Sequence, residues 1–162
     1  MTVDKTKIKA ELNEAWDGIR RLVESLSERE LTEPGVVDQW SIKDLLGHMA
    51  FWAEKSARDL ALVTEGRAGE IETPGSDEIL NEWNKRESER RSNLSATELR
   101  DEWLHSFEAA AAAFHAVPAE KLHIDVKGWT VAHRFAEDTY EHYNEHADQI
   151  RAWKRQLETT EA

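Results

Sequence analysis

Apolar residues recur every three or four positions along most of this 162-residue chain, which is the spacing that places side chains on one face of an α-helix. Polar segments, several of them containing Gly or Pro, separate five such stretches. No segment alternates apolar and polar residues over enough positions to predict a strand. The pattern therefore predicts five helices, over about 6–26, 41–64, 76–92, 95–116 and 130–157.

The predicted helices carry apolar seams of the width that packs one helix of a bundle against its neighbours. The composition agrees, with 33% charged and 40% hydrophobic residues and only 7 Gly and 3 Pro, a balance that favours helices. The length suits one hydrophobic core rather than two, so we predict an all-α single domain over residues 1–162. The seams of the first and fourth helices consist of Ile8, Leu12, Ala15, Ile19, Leu22 and Leu26, and of Leu99, Trp103, Phe107, Ala110, Phe114 and Val117.

Two histidines lie on the face of the last predicted helix that should point into the protein. His146 follows His142 by four positions, and an unpaired buried polar group costs about 1–3 kcal/mol. A divalent metal would satisfy both rings, because i, i+4 spacing brings two imidazole nitrogens to one ion. The alternatives are hydrogen bonds to a carboxylate such as Asp138, or a His146 that points outward. At about 100° per residue the face spans roughly 40°, and its other members are Val131, Phe135, Gln149 and Trp153.

The second predicted helix carries a third histidine at the inner edge of its apolar face. Ser41 is a suitable N-cap, with Asp44 three residues further on. His48 lies four residues before Trp52. A lone histidine at such a position is most often a core residue bonded to a neighbour, so His48 gains interest only beside the later pair. The polar loop over 65–75 is longer than most helix connections and is expected to border a pocket.

Composition and charge exclude several classes of function. The absence of cysteine rules out disulfides, thiolate ligands and a cysteine nucleophile. The N-terminus lacks the layout of a signal peptide and no run of about 18 apolar residues occurs, so we predict a cytoplasmic protein with no membrane partner. The net charge of −12 predicts no nucleic-acid partner, because the average field of an acidic surface repels a duplex. We interpret the mixed run Lys85-Arg86 and Glu89-Arg90-Arg91 as a solvated helix face, the alternative being an anion site.

These residues resemble the DinB-like four-helix bundle superfamily. The segment from Trp40 to His48, followed by Trp52, is similar to its "WSxxDLLxHxxxW" element. The segment 129–146 looks like its closing helix, especially in the branch named after ClbS and DfsB, and 81–84 and 89–91 lie where that branch carries similar motifs. The resemblance covers essentially the whole chain.

The resemblance implies an up-and-down four-helix bundle with an additional short helix and a cavity open at one end. In many members of the superfamily, one histidine of the second helix and an HxxxH pair of the last bind a divalent metal such as nickel, zinc or manganese. Carried over by position, these ligands are His48, His142 and His146. Three imidazoles leave one coordination position for water or substrate, as at catalytic sites.

The same resemblance implies a metal-dependent enzyme that acts on a small electrophilic molecule in detoxification or stress response. It would be a hydrolase, or an S-transferase that uses a low-molecular-weight thiol such as bacillithiol, mycothiol or glutathione. Glu145 or Tyr143 could transfer protons and Asp138 could orient an imidazole, while Trp52 could line the pocket or fill the core; no catalytic residue is assigned.

Two other interpretations stay open. The cavity could sequester a small molecule without turnover, or the bundle could be a structural protein whose histidines hold no metal. A homodimer formed through an apolar helix face is compatible with all three interpretations.

Overall fold

Hydroxyl side chains cap the helices at the starts that the sequence predicts. The computed structural model of the protein describes residues 3–161. Ser41 and Ser95 accept hydrogen bonds from the backbone N–H groups of Asp44 and Glu98, and both form complete capping boxes. The helices are α1 (Lys5–Glu24), α2 (Glu28–Thr32), α3 (Ile42–Thr64), α4 (Asp77–Arg90), α5 (Ala96–Ala116), α6 (Val131–Asp138) and α7 (Tyr140–Glu161). Two-residue strands β1 (Asp125–Val126) and β2 (Trp129–Thr130) pair antiparallel, and 3-10 turns cover Ala68–Glu70 and Ala119–His123.

Four long helices form the bundle. The most extensive contacts join α3 to α5 and α1 to α7, while α7 also touches α3 and α4 lies along α3. This arrangement confirms the predicted all-α helical bundle. Within residues 3–161, none of the helices combines the length and the apolar content that crossing a bilayer would require.

An aromatic cluster ties three of the four helices together. The ring of Trp16 on α1 stacks on Phe107 of α5 with centroids 4.2 Å apart. It also lies 4.5 Å from Trp103 and 5.5 Å from Tyr143 of α7. Aromatic pairs at these separations stabilise a core beyond the burial of their area. The apolar seams predicted for the first and fourth helices are therefore the faces on which the bundle closes.

The prediction of one continuous helix over 130–157 is wrong, because the helix breaks at Thr139. This residue is fully buried, with φ −126° and ψ −95°. Its hydroxyl donates to the carbonyl of Phe135 at 2.5 Å, while its backbone N–H bonds the carbonyl of Ala136 at 3.4 Å. A threonine hydroxyl that bonds the carbonyl four residues back competes with the regular ladder and bends helices. The result is two helices, α6 and α7, in place of the single helix that the sequence predicts.

Two elements lie in segments that we predicted as connections. Helix α2 begins with a complete capping box between Ser27 and Glu30, a signal that is present in the sequence. The β1–β2 hairpin turns at Lys127 and Gly128, with φ values of 53° and 92°. Two successive positive φ values are typical of the two-residue turn whose twist matches a hairpin, and glycine at the second position removes the steric cost.

Arg91 is the exception to the solvated face that we predicted for the charged run 85–91 at the end of α4, whose other named members, Lys85, Arg86, Glu89 and Arg90, are exposed. Only 8% of Arg91 is exposed, and its guanidinium lies 2.7 Å from Glu87, 2.7 Å from Glu102 and 3.7 Å from Glu54. These carboxylates belong to α4, α5 and α3, so one side chain joins three helices. Gly47 makes room for it, because a Cβ there would meet the Arg91 Cδ at 3.0 Å.

We predict that Arg91→Ala lowers the free energy of unfolding by about 3 kcal/mol, because it leaves the buried Glu87 carboxylate without its main partner. Urea unfolding followed by circular dichroism measures the change. The matched control is Arg90→Ala, one residue earlier, whose side chain is 74% exposed and lies 3.7 Å from the same carboxylate. Its cost should stay below about 0.5 kcal/mol. Equal losses in the two variants would show that the Arg91 network does not hold the helices.

Candidate metal centre

The structure brings the imidazoles of His48, His142 and His146 together where α3 meets α7. The Nε2 atom of His142 lies 2.9 Å from Nε2 of His48 and 2.8 Å from Nε2 of His146. Each ring offers one nitrogen, and the three nitrogens all lie within 4.8 Å of one another. Nitrogens that share one ion at about 2.0–2.1 Å are roughly 3–3.5 Å apart. The three imidazoles could therefore hold a metal after a movement of a few tenths of an ångström.

Hydrogen bonds among the rings alone leave this cluster short of protons. The Oε1 atom of Gln149 lies 2.6 Å from Nδ1 of His146. A proton on that Nδ1 leaves Nε2 of neutral His146 as an acceptor. A single N–H on Nε2 of His142 must then donate to Nε2 of both His48 and His146. The buried Nδ1 atom of His142 makes no hydrogen bond of acceptable geometry. A cation resolves the shortage, since three Nε2 lone pairs can converge on it while Gln149 orients His146.

Burial keeps the imidazoles neutral, which is the form that a metal binds. Desolvation lowers the pKa of His48 to about 3, and the charge of His146 adds to the effect. Desolvation, helped by His146 and His48, lowers the pKa of His142 well below its ordinary value, against the opposing effect of the Asp138 backbone. That backbone contact is too poor in geometry to count as a hydrogen bond. Desolvation also lowers the pKa of His146, opposed by Gln149 and by the charge of Glu145.

A cavity of about 680 Å³ opens above the imidazoles, and His48 and His142 belong to its lining. Its walls come from α3, α4, the loop before α4, the β1–β2 hairpin and α6. The long loop therefore borders a pocket, as expected. The apolar part of the lining consists of Trp52, Pro74, Leu80 and Trp129. Trp52 is fixed by its indole N–H, which donates to Asn84 Oδ1 at 2.9 Å.

The cavity also contains charged residues that sequence analysis did not single out. Lys55 and Asp59, one turn apart on α3, form an ion pair at 2.5 Å with side chains 10% and 19% exposed. Arg134 on α6 lines the same wall. Asp138, which the sequence analysis considered as a partner of an imidazole, is half-buried and lines the same cavity. Desolvation raises its pKa to about 8, with the charge of Lys55 opposing the shift. Lys55 and Asp59 carry a weak signal in the sequence, since they are an i, i+4 pair of opposite charge.

The side chains considered for proton transfer occupy different environments. Tyr143 belongs to the aromatic core, is fully buried and has no partner for its hydroxyl, and desolvation raises its pKa. It does not line the cavity, so it packs between helices. Glu145 is exposed and also lies outside the cavity lining. Asp138 and Trp52 both line the cavity.

Comparisons with known proteins agree with the architecture. The sequence profile of the mycothiol maleylpyruvate isomerase N-terminal domain family matches residues 12–147. No curated protein sequence matches the chain. An uncharacterised protein from Escherichia coli UTI89 is similar in structure, with a TM-score of 0.82, 14% identity and coverage of 95% of this chain and 94% of that chain. The sibling lethal factor precursor DfsB is similar with a TM-score of 0.79, 14% identity and coverage of 97% of this chain and 98% of that chain. The colibactin self-resistance protein ClbS, in complex with a double-stranded DNA, is similar with a TM-score of 0.79, 13% identity and coverage of 91% of this chain and 93% of that chain.

The prediction that excluded nucleic acid as a partner is wrong. It rested on the net charge of −12, yet ClbS, a protein of the same fold, was crystallised with double-stranded DNA. Net charge describes the average field around a molecule, and a local surface can differ from that average. At 13% identity the likeness to ClbS shows the shared fold and no more.

The neutral imidazoles make the stability of the metal-free protein dependent on pH. His48 is uncharged when folded but titrates near pH 6.5 when unfolded, so its stabilising contribution is complete above that pH and is lost as pH falls towards about 3. We predict that the free energy of unfolding of His48→Gln, relative to wild type, rises by about 1–2 kcal/mol between pH 7.5 and pH 5.0.

Urea unfolding in the presence of a chelator at each pH measures this difference, and the titrations of groups remote from His48 cancel in it. The region from pH 7 to pH 8 is the internal control, because the difference should be constant there. A difference that stays flat down to pH 5 would show that His48 is charged in the folded protein.

Proposed function

This chain belongs to the mycothiol maleylpyruvate isomerase N-terminal domain family, with the DinB-like fold of ClbS and DfsB, and on that basis we propose that it is a metal-dependent enzyme acting on a small electrophilic molecule. The reaction is hydrolysis or transfer of the electrophile to a thiol. The observation that carries the proposal is the convergence of three neutral imidazoles beside a cavity.

The donor set favours a catalytic ion over a structural one. His48, His142 and His146 would be the ligands, and the family is associated with metal binding. A structural zinc site usually has four protein ligands, whereas the cluster found within residues 3–161 has three. A divalent ion held there would act as a Lewis acid and lower the pKa of a bound water or thiol. Imidazole ligands suit zinc and nickel, and manganese is the third candidate.

The chain's own residues define what can enter the cavity. Its volume of about 680 Å³ lies within the range for sites of small molecules. Trp52, Leu80 and Trp129 offer apolar contacts to the body of a substrate, and Asn84 holds the Trp52 indole in place.

A thiol for the transferase reaction must come from outside the chain, because the sequence has no cysteine. The family name refers to mycothiol, which favours a low-molecular-weight thiol as cosubstrate. Asp138, beside the imidazoles and lining the cavity, is the carboxyl group placed to exchange a proton with a ligand, since desolvation raises its pKa to about 8. Groups with a pKa near the working pH are the most effective proton carriers.

We predict that tag-free protein, stripped with a chelator and then dialysed against zinc or nickel, retains about one equivalent of metal per chain. Replacing one of three ligands should weaken binding by about 100-fold or more, since even residues that only orient a ligand cost 10–100-fold. Metal analysis and competition with a chromophoric chelator measure both quantities for His142→Gln.

The matched control for metal binding is His105→Gln, because His105 is an exposed histidine on α5 outside the cluster. This variant should bind metal as the wild type does. Less than about 0.2 equivalents on wild-type protein, unchanged by added zinc or nickel, would remove the metal from the proposal.

Turnover distinguishes an enzyme from a protein that sequesters its ligand. We predict that the metal-loaded protein accelerates the reaction of mycothiol, bacillithiol or glutathione with monobromobimane above the rate of the thiol alone, and that the rate saturates with thiol. His142→Gln should lose the acceleration, while His105→Gln keeps it. Uptake of bimane limited to one equivalent, with no acceleration by any of the three thiols, would support sequestration and contradict transfer.

A further inference from the structure

Lys55 is the most deeply buried cation in the lining of the cavity. Only 8% of this residue is exposed, whereas Lys127 at the hairpin turn is exposed and Arg134 is half-buried. All three line the cavity above the imidazoles. Removing an ammonium from water costs free energy unless opposite charge and hydrogen bonds compensate for it. The surroundings of Lys55 should therefore supply acceptors for its three N–H groups.

The fold supplies one of these acceptors. The Nζ atom of Lys55 lies 2.5 Å from Oδ2 of Asp59, one turn further along α3. An ammonium has three donors, and within residues 3–161 Asp59 is the one hydrogen-bond acceptor that Nζ meets. The charge of Lys55 affects the pKa of Asp138, but no ion pair joins these two described residues. A side chain that is only 10% exposed thus keeps two donors for which the described part of the chain has no acceptor.

Stability alone does not explain a buried pair of this kind. Replacing both members of a buried ion pair by apolar residues is often neutral or stabilising, because desolvation offsets most of the attraction. Lys55 follows His48 by seven positions and Trp52 by three, so the three side chains lie on one face of α3. All three line the same cavity. The ammonium therefore shares its face of the helix with a candidate metal ligand and with an indole of the cavity wall.

The lining as a whole does not select for an anion. Three basic side chains face four acidic ones: Lys55, Lys127 and Arg134 against Asp59, Asp77, Glu137 and Asp138. Since a ligand meets no excess of positive charge there, the unused donors of Lys55 suit an oxygen atom without charge. A carbonyl oxygen accepts hydrogen bonds through two lone pairs, and the indoles and Leu80 in the lining suit the apolar remainder of such a molecule.

We propose that Lys55 is a specificity-determining residue whose ammonium donates a hydrogen bond to an uncharged carbonyl oxygen of the ligand, while Asp59 holds the ammonium in place. This inference rests on the proposed function, because it takes the cavity above the imidazoles as the ligand site. A hydrogen bond from a charged donor is roughly twice as strong as one between neutral groups. The Cα atoms of Lys55 and His48 are about 10 Å apart along α3, at 1.5 Å per residue, which leaves the rest of the ligand free to extend towards the imidazoles.

Infrared difference spectroscopy of 4-phenylbutan-2-one, labelled with carbon-13 at its carbonyl, tests the proposal on chelator-treated protein. A hydrogen bond weakens the carbonyl bond and lowers its stretching frequency. The ketone bound to wild type should therefore absorb at a lower frequency than the ketone bound to Lys55→Met. Calorimetry should show that Lys55→Met binds the ketone about 10-fold more weakly. Lys55→Arg, which keeps a charged donor, should retain part of both effects.

Lys85→Met is the matched control for the loss of a lysine. Lys85 also has an acidic partner four residues later, but its side chain is 77% exposed on α4 and lies outside the cavity lining. This variant should behave as wild type. The double variant Lys55→Met/Asp59→Leu leaves no buried carboxylate without its partner and should show the same loss as Lys55→Met. Circular dichroism checks that each variant is folded.

The same ketone frequency in wild type and in a folded variant without Lys55 would overturn the inference, and so would a wild type that does not bind the ketone. Tighter binding of 3-phenylpropanoate, which has the shape of the ketone but a negative charge, would contradict an uncharged ligand. A frequency shift that depends on Lys55 supports the inference even if the protein shows no turnover, because the measurement needs neither metal nor thiol. Turnover in wild type together with an unshifted ketone frequency would contradict the inference and leave the proposed function intact.

Discussion

The constraint on which the structure depends is the burial of three imidazoles at the contact between α3 and α7. Their mutual distances of 2.8 and 2.9 Å leave too few protons for neutral rings to satisfy one another, and desolvation prevents them from taking up more. Such a cluster costs free energy unless a cation completes it. The surrounding packing holds both helices: the aromatic cluster around Trp16 joins α7 to α1 and α5, and the ion pairs of Arg91 join α3 to α5.

The break at Thr139 decides how the wall of the cavity is built. It lies one turn before His142 and lets α6 and α7 pack on different partners. Phe135 stacks on Phe114 with centroids 4.6 Å apart, whereas Tyr143 packs on Trp16 at 5.5 Å. The break thus separates the part of the cavity wall that carries Arg134 from the part that carries His142.

Sequence reasoning was most successful where the cause is local. Spacing identified the buried faces of α1 and α5 and placed His142 and His146 on an inward face, and the Ser41 cap fixed the start of α3. Periodicity cannot say which faces of different helices meet, so His48 joined the pair only through the family resemblance. The burial of Arg91 was missed because it depends on Gly47, a residue of another helix. The break at Thr139 was missed because its competing hydroxyl is an option for any helical threonine.

The net charge of the chain also does not predict the charges inside the cavity. A net charge of −12 is a sum over the whole chain, and most of the acids that produce it lie on solvated faces where water and salt screen them. Inside the cavity the two signs are more evenly matched, since its lining contains Lys55, Lys127 and Arg134 together with Asp59, Asp77, Glu137 and Asp138. Lys55 and Asp59 form an ion pair, whereas the guanidinium of Arg134 is held by the carbonyl of Val126, which carries no net charge. Pairing and desolvation, rather than composition, therefore set the field that a ligand meets.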